Sequence, residues 1–394
     1  MYLSIIYESG CETMNVAVFG AGMMGRAIAF DLLHQKTFEK ITLVDVSQKM
    51  LSDSKAFLSD ASLRVVKMDV SDLSSVKKVF DTVDVVISAI PYYFNYDLTK
   101  LAISTGTHFI DLGGNNDVVD RQRKLFTSAK EHHVTIIPDS GLAPGLVSVI
   151  TRDIVDSLSE VDTVQLRVGG LPLEPQPPLQ YQIVFSINGL INEYVEDALI
   201  LDHGEIMNKP SMTEIESITF PEPFGPMEAF LTSGGCSTLP YTYKHVIGYL
   251  DYKTIRYPGH CIRFKTMLDI GLGSNEPIDV DGRKISPREL FIHLLQESIP
   301  SEGSDVVLLK AVGKGRRNGK SVLLEYTMID RFEKKTGLSA MMRTTGFPVA
   351  ITADLIAKNV ISEHGVFCPE EIIPPLVFFK ELEKRNIIIE KVEA

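Results

Sequence analysis

The chain of 394 residues is 44% hydrophobic and 23% charged, a composition typical of a globular protein with about two domains. Its formal net charge of −12 at pH 7 argues against general binding of nucleic acid or anionic membranes, because phosphate contacts require clustered Lys and Arg. No run approaches the ~20 apolar residues of a membrane span. The sequence therefore predicts neither partner.

The first residues and the cysteines indicate where the protein resides. Residues 1–13 lack the basic start and the apolar centre of a signal peptide, so we expect a disordered leader and a cytoplasmic protein. The four cysteines form no Cys-x-x-Cys pair and none lies at zinc-ligand spacing from a histidine. No metal site is predicted.

A glycine-rich turn is the first chemical motif. An apolar run ends at Gly20, and Gly20, Gly22 and Gly25 have G-x-G-x-x-G spacing before a helix-forming stretch. In this setting the first glycine permits a tight turn, the second admits a pyrophosphate, and the third lets the helix pack on the strand. The predicted cofactor contacts are Gly20, Ala21, Gly22, Met23, Met24 and Gly25.

Asp45 supports the same interpretation. It lies near the end of the second apolar run, roughly 20 residues beyond the glycine motif. An acidic side chain there accepts hydrogen bonds from the adenosine ribose and repels a 2′-phosphate, and no Arg follows directly. We therefore predict NAD rather than NADP. The alternative is an ordinary glycine turn in a parallel α/β protein with a surface aspartate.

Residues 14–144 alternate between strand and helix patterns, which predicts a doubly wound Rossmann domain of parallel strands. The strand patterns are short, apolar and rich in Val and Ile, as expected for strands that are buried on both faces. Strands are predicted at 15–19, 41–46, 63–68, 84–89, 107–111 and 134–137, and helices at 23–35, 48–59, 72–80, 95–104 and 117–131.

The carboxyl ends of these strands should form a ligand-binding crevice. Asp111 and Asp139 end the fifth strand and follow the sixth, where each carboxylate could hold a substrate ammonium or accept its proton. The alternative is that each caps a helix or a turn. Residues in this crevice that are predicted to contact the cofactor are Ala89, Pro91, Gly141 and Leu142.

The pattern changes after residue 144 to longer, half-exposed segments, which predicts a second α+β domain with a mixed or antiparallel sheet. Residues 313–320 fit a solvated hairpin tip better than an anion site. Strands are predicted at 161–168, 182–186, 261–269, 305–312 and 322–328, helices at 145–157, from 286 to 297, at 349–360 and at 375–384, and a closing strand at 387–390.

Six segments resemble the saccharopine reductase-like dehydrogenases, and the resemblance extends over about residues 14–390. It implies a substrate and oligomerisation domain at 145–341, C-terminal helices at 342–394 that return to the dinucleotide domain, and a homodimer or higher homo-oligomer. It also implies NAD-dependent oxidative deamination of the ε-amino group of L-lysine to 2-aminoadipate 6-semialdehyde and ammonia. The resembling segments are 109–114, 137–145, 169–181, 185–190, 228–239 and 252–260.

The chemistry of amine oxidation assigns candidate roles. Hydride transfer from the substrate ε-carbon requires that the amine first lose a proton, because an ammonium nitrogen has no lone pair. We expect Asp111 near the ε-nitrogen, with His260 or Asp139 moving protons. Arg256 is the candidate for the substrate carboxylate, since its planar fork matches that group. Arg256 could instead form a strand-face ion pair, and His260 could be a packed core imidazole.

Further substrate contacts are predicted at Tyr181, Phe185 and Gly113, although Tyr181 and Phe185 could equally form the core of the substrate domain. One rival function is a saccharopine or carboxynorspermidine reductase, which acts on a secondary amine and usually prefers NADP. Asp45 argues against that rival. A second rival is a non-catalytic NAD-binding sensor with the same fold.

Overall fold

The computed structural model describes residues 14–394, so the expected leader at 1–13 lies outside the described residues. The first sheet is wholly parallel, and its central strands are buried on both faces. Its strands are β1 (Asn15–Phe19), β2 (Lys40–Asp45), β3 (Arg64–Lys67), β4 (Val85–Ser88), β5 (His108–Asp111), β6 (Thr135–Ile137) and a short strand from the C-terminal segment. The spatial order starts with that last strand and continues β6-β5-β4-β1-β2-β3. This confirms the doubly wound sheet.

Helices cross over between these strands, and side-chain oxygens cap several of them. Ser47, Asp72 and Asn115 accept hydrogen bonds from the first backbone N–H groups of their helices. The helices are α1 (Met23–Gln35), α2 (Gln48–Leu58), α3 (Leu73–Phe80), α4 (Asn95–Thr105), α5 (Asn116–Arg123) and α6 (Phe126–Glu131). The single helix predicted at 117–131 is wrong. The Leu125 N–H bonds to Gln122 O, which tightens the last turn of α5 and separates the two helices.

The rest of the chain forms a second, mixed sheet with its own helices. Its first elements are α7 (Leu146–Ser157), β7 (Glu160–Pro172), α8 (Ile187–Val195), β8 (Ala198–Asp202), β9 (Glu205–Lys209), β10 (Glu216–Phe220), β11 (Gly225–Leu231), α9 (Leu239–Thr242), β12 (Ile247–Arg256) and α10 (His260–Met267). They are followed by β13 (Ile278–Val280), β14 (Arg283–Ile285), α11 (Pro287–Ser298), β15 (Asp305–Arg317), β16 (Lys320–Arg331), α12 (Ala340–Ala357), β17 (Gly365–Val366), α13 (Pro369–Ile372), α14 (Pro375–Lys384) and β18 (Glu390–Glu393).

The order in this sheet is β10-β11-β12-β7-β15-β16-β18, and β8 and β9 attach beside β12. Strands β7 and β12 run parallel, whereas the other neighbours are antiparallel. The predicted second domain with a mixed sheet is therefore confirmed. Strands β13 and β14 form a separate hairpin.

Several predicted elements of this region are wrong. Residues 261–269 begin as the helix α10, because Cys261 and Phe264 are buried at helical spacing while Ile262 is exposed. Residues 182–186 form no strand; they approach α8, and the Ser186 hydroxyl caps that helix. The predicted hairpin tip at 313–320 is too long, because pairing of the two strands continues to Arg317 and Lys320 and leaves only the turn 318–319. The closing strand lies at 390–393 rather than at 387–390.

The C-terminal segment contacts both sheets. Helix α12 packs against α1, β17 adds to the edge of the first sheet beside β6, and β18 pairs with β16 in the second sheet. Arg385 lies at the centre of this packing, with its guanidinium hydrogen-bonded to Asp31 at 2.8 Å, Asp354 at 2.8 Å and Glu381 at 2.8 Å. No helix within residues 14–394 is long and apolar enough to cross a membrane.

Replacing Arg385 tests this packing. Arg385→Met leaves the buried Asp31 carboxylate without its cation and Asp354 with only Lys358 at 3.8 Å, so the free energy of unfolding should fall by about 3–5 kcal/mol. Urea unfolding followed by circular dichroism measures the change. The control is Lys384→Met, which removes an exposed partner of the same Glu381 and should change stability by less than about 1 kcal/mol. Equal losses for the two variants would contradict the account.

Candidate functional site

The glycine turn between β1 and α1 is crowded at two of its glycines and open at the third. A Cβ added to Gly20 would lie 2.4 Å from Ala89 O, and one added to Gly25 would lie 1.7 Å from Gly20 O. A Cβ on Gly22 would meet nothing within 4 Å. The first and third glycines are therefore required by the fold, whereas the middle one borders free space where a ligand can approach the backbone.

The N-terminus of α1 faces this space. Gly22 precedes the helix, no side chain caps it, and its first turn carries no acidic residue. Uncapped N–H groups and the positive end of the helix dipole together attract an anion. The backbone at Met23 and Met24 is therefore placed to hold a pyrophosphate, so the turn fits a dinucleotide.

Asp45 is the last residue of β2 and lies beside the glycine turn. Its two carboxylate oxygens accept hydrogen bonds from Ala21 N–H and Ser47 N–H, each at 2.7 Å. These bonds fix the turn against the end of β2. Each oxygen still has a lone pair that can accept a hydroxyl proton, as a ribose would require.

Two glycine variants distinguish the role of the turn in folding from its role in binding the dinucleotide. Gly22→Ala fills only open space and should lower the free energy of unfolding by less than about 1 kcal/mol, while it weakens dinucleotide binding by about tenfold or more. Gly25→Ala clashes with Gly20 O and should destabilise the fold by more than about 2 kcal/mol. Thermal unfolding and titration of NADH fluorescence measure the two effects. Undiminished NADH affinity in Gly22→Ala would contradict the placement of the pyrophosphate.

A cavity of about 180 Å³ lies where the two sheets meet. One wall comes from the first domain and is apolar. The opposite wall comes from the second sheet and α8, and carries the polar side chains. The lining residues are Met24, Leu112, Gly141, Leu142, Ala143, Pro144, Val168, Gly169, Gly170, Phe185, Glu193, Tyr252, Thr254, Arg256, Met341 and Thr345. Of the residues predicted from the sequence, Met24, Gly141, Leu142, Phe185 and Arg256 meet here.

Arg256 ends β12 and is only 2% exposed, yet it lines the cavity. Its Nε donates to Tyr194 Oη at 2.9 Å and its Nη1 donates to Ile255 O at 2.9 Å. The guanidinium carbon lies 5.0 Å from the centre of the Tyr181 ring. Within residues 14–394, no carboxylate lies at ion-pairing distance from it. A buried cation that has no counter-ion and borders a cavity can bind an anion that enters that cavity.

His260 does not line the cavity. Its Nδ1 lies 2.9 Å from Leu179 O, which can only accept a hydrogen bond, so Nδ1 carries the proton. Its Nε2 therefore accepts a hydrogen bond from Tyr194 Oη at 3.1 Å. Burial, and then the charge of Arg256, lower the pKa of His260 to about 3. The ring is neutral at physiological pH and orients Tyr194, which in turn holds Arg256.

Asp111 and Asp139 are also buried and do not line this cavity. Asp111 accepts hydrogen bonds from Gly113 N–H and the Gln122 amide, each at 2.7 Å, and burial raises its pKa to about 6. Ser237 Oγ donates to the carboxylate of Asp139. Burial, with the charge of Asp111 contributing, raises the pKa of Asp139 to about 7. Catalytic roles for the two aspartates stay predictions.

Gly113 and Tyr181 do not line this cavity either, and Tyr181 lines a separate one. A Cβ on Gly113 would lie 1.7 Å from Asp139 Oδ1, so this glycine covers the aspartate. The Tyr181 ring packs against the Arg256 guanidinium. Ala89 and Pro91 follow β4 beside the glycine turn, and Ala89 N–H bonds to Phe19 O at 2.7 Å. Contact of these four residues with substrate or cofactor is untested.

The sequence analysis missed Glu193, Tyr252 and Thr254. The two β12 residues alternate with Arg256 at a period of two, a signal that places all three on one face of the strand. Glu193 is the single acidic residue of α8 and its carboxylate has no hydrogen-bond partner among the residues described. Burial is the main cause that raises its pKa to about 7. Its place in the cavity depends on how α8 packs, which no local pattern indicates.

Comparisons with known proteins identify the family. The family model "Saccharopine dehydrogenase C-terminal domain" matches residues 141–388, and "Saccharopine dehydrogenase NADP binding domain" matches residues 16–137. The chain belongs to the saccharopine dehydrogenase family. Membership makes it an oxidoreductase with a pyridine-nucleotide-binding domain. Within residues 14–394, no group of three or more His, Cys, Asp or Glu side chains could hold a metal ion.

Relatives in this family cover nearly the whole chain at low identity. Saccharopine dehydrogenase [NADP(+), L-glutamate-forming] of Saccharomyces cerevisiae is 24% identical and covers 94% of this chain and 97% of its own length. The mitochondrial alpha-aminoadipic semialdehyde synthase of Bos taurus is 24% identical over 92% of this chain, which spans 46% of that protein.

Solved structures share the fold. Apo saccharopine dehydrogenase (L-Glu forming) from Saccharomyces cerevisiae superposes with a TM-score of 0.79 at 21% identity, covering 97% of this chain and all of the other. Homospermidine synthase from Legionella pneumophila, in complex with NAD, superposes with a TM-score of 0.69 at 12% identity. The superposition covers 97% of this chain and 92% of the synthase chain. At these identities the likeness extends to the fold alone.

Proposed function

We propose that this protein uses NAD to oxidise the ε-amino group of L-lysine, giving 2-aminoadipate 6-semialdehyde and ammonia. The observation that carries the proposal is the buried guanidinium of Arg256, which has no ion-pair partner in residues 14–394 and lines the same cavity as Met24 at the start of α1. It provides a site for a carboxylate in a cavity bordered by the turn that fits a dinucleotide. By their names, the relatives are a saccharopine dehydrogenase and an alpha-aminoadipic semialdehyde synthase, and this supports the proposal.

The reaction balances without a further reagent. The substrate ammonium gives up a proton to a water molecule and so to the solvent, the ε-carbon then loses a hydride, and water adds to the resulting iminium carbon before ammonia leaves. Nicotinamide, when bound, supplies the hydride acceptor. Arg256 holds the substrate carboxylate, while Leu142 and Met341 contribute apolar surface that limits water near the reacting carbon. Asp111 and Asp139 remain the candidates that move the substrate proton, whereas His260 positions Tyr194 and through it Arg256.

The preference for NAD rests on Asp45, whereas the matched nucleotide domain and the yeast relative are named for NADP. A carboxylate at the end of β2 suits two ribose hydroxyls and repels a 2′-phosphate. The residues that follow, Val46 to Gln48, supply no cation for that phosphate. These observations support NAD, and the coenzyme preference is directly measurable.

Asp45→Asn removes the negative charge while it keeps an oxygen for the glycine turn. We expect the ratio of NAD to NADP affinity to fall by about tenfold or more, because one charged hydrogen-bond acceptor is lost and the repulsion of a 2′-phosphate ends. Titration of both reduced coenzymes by fluorescence measures the ratio. Asp81→Asn, an exposed change at the end of α3, is the control. An unchanged ratio in Asp45→Asn would refute the argument.

Saccharopine oxidation is the second candidate, because the yeast relative covers nearly the full length of both chains. A substrate panel separates the two functions: L-lysine, saccharopine and diamines, each with NAD and with NADP, followed by NADH or NADPH absorbance. Reduction of NAD with L-lysine is the expected result. Activity with saccharopine alone would replace the proposed function by the second one. A cytoplasmic location and a homo-oligomer stay predictions.

A further inference from the structure

Glu193 and Arg256 lie on the same wall of the cavity but come from different elements. Glu193 projects from α8, and Arg256 ends β12. Among the lining residues, the titratable side chains are these two and Tyr252. Burial raises the pKa of the Tyr252 hydroxyl far above neutrality, so that side chain stays uncharged. The wall therefore presents one carboxylate and one guanidinium.

The two groups are near enough for the charge of each to affect the pKa of the other, but they form no ion pair. The Glu193 carboxylate accepts no hydrogen bond from the described part of the chain. Arg256 uses Nε and one N–H of Nη1, which leaves three N–H groups without a partner in residues 14–394. One cavity is thus bordered by a carboxylate that can accept hydrogen bonds from a cation, on Glu193, and by N–H groups that can donate to an anion, on Arg256.

The side chains that the first domain contributes to the lining are apolar, Met24, Leu142 and Ala143 among them, and they offer no charged partner. A substrate with a charged head and an apolar stem therefore has one favourable orientation. Its head lies against Glu193 and Arg256, and its stem extends along the apolar wall toward the glycine turn, where the dinucleotide domain begins.

We propose that Glu193 and Arg256 together recognise the α-ammonium and α-carboxylate of an amino-acid substrate, and so direct its distal amine toward the nicotinamide. This inference rests on the proposed function for the identity of the substrate, but it assigns a role to Glu193 that amine oxidation alone does not require. It predicts that the enzyme selects a diamino acid over a simple diamine.

Analogues of lysine test the inference on the unmodified protein. 6-Aminohexanoate lacks the α-ammonium, and cadaverine lacks the carboxylate. Calorimetric titration of the protein with NADH present should give L-lysine a dissociation constant about 10- to 100-fold lower than either analogue, because each lacks one charged hydrogen-bonding group. Equal affinities for the three ligands would overturn the proposal.

Glu193→Gln refines the test, because the change removes the charge and keeps the shape of a partly buried side chain. It should weaken L-lysine binding by about 10- to 100-fold and should not weaken the binding of 6-aminohexanoate, which lacks the α-ammonium that Glu193 holds. Glu383→Gln, the same substitution at an exposed residue of α14, is the matched control and should change the binding of neither ligand. A fall in kcat for lysine, 6-aminohexanoate and cadaverine alike, with binding unchanged, would make Glu193 the proton acceptor and overturn its role in recognition.

The proposed function and this inference fail separately. If L-lysine binds with the expected preference but is not oxidised with NAD or NADP, the proposed function is wrong and head-group recognition stands. If lysine is oxidised but Glu193→Gln binds lysine as tightly as the wild type does, the reaction stands and the role of Glu193 is wrong.

Discussion

The guanidinium of Arg256 is enclosed by protein, and its charge has no counter-ion at ion-pairing distance in residues 14–394. Such a group is tolerated only if its surroundings accept its hydrogen bonds and keep other cations away. Tyr194 and Ile255 accept two of them. His260 stays neutral because burial, and then the charge of Arg256, lower its pKa, while its Nδ1–H donates to Leu179 O and its Nε2 accepts from Tyr194. A charged imidazole at this place would repel Arg256, so the neutral ring is part of what allows the cation to remain.

The two halves of the cavity meet because the C-terminal segment contacts both sheets. Helix α12 packs against α1, and two of its residues, Met341 and Thr345, line the cavity. The ion-pair cluster at Arg385 holds that helix against the first domain. The separation between the glycine turn and Arg256 therefore depends on packing by residues that follow both domains in the chain. Membership of the saccharopine dehydrogenase family is consistent with this arrangement, since the C-terminal family model extends to residue 388.

The sequence predicted the parts of this site that depend on local chemistry. The glycine spacing and Asp45 could be predicted because backbone sterics and parallel register place them in any doubly wound sheet. Arg256 was named from a resemblance. The orientation of Asp111 and Asp139 could not be predicted, because a strand-end position does not determine whether a side chain faces the crevice or the loop below it. Glu193 was missed since its exposure to the cavity depends on the packing of α8. The helix α10 was mistaken for a strand because its short apolar pattern fits either period.

A crystal structure of the protein with NADH and L-lysine tests the central claim most directly. The account predicts that the lysine carboxylate binds the free N–H groups of Arg256, that the pyrophosphate lies at the N-terminus of α1, and that Cε lies about 3–3.5 Å from nicotinamide C4. A carboxylate bound away from Arg256, or a coenzyme outside the glycine turn, would contradict it.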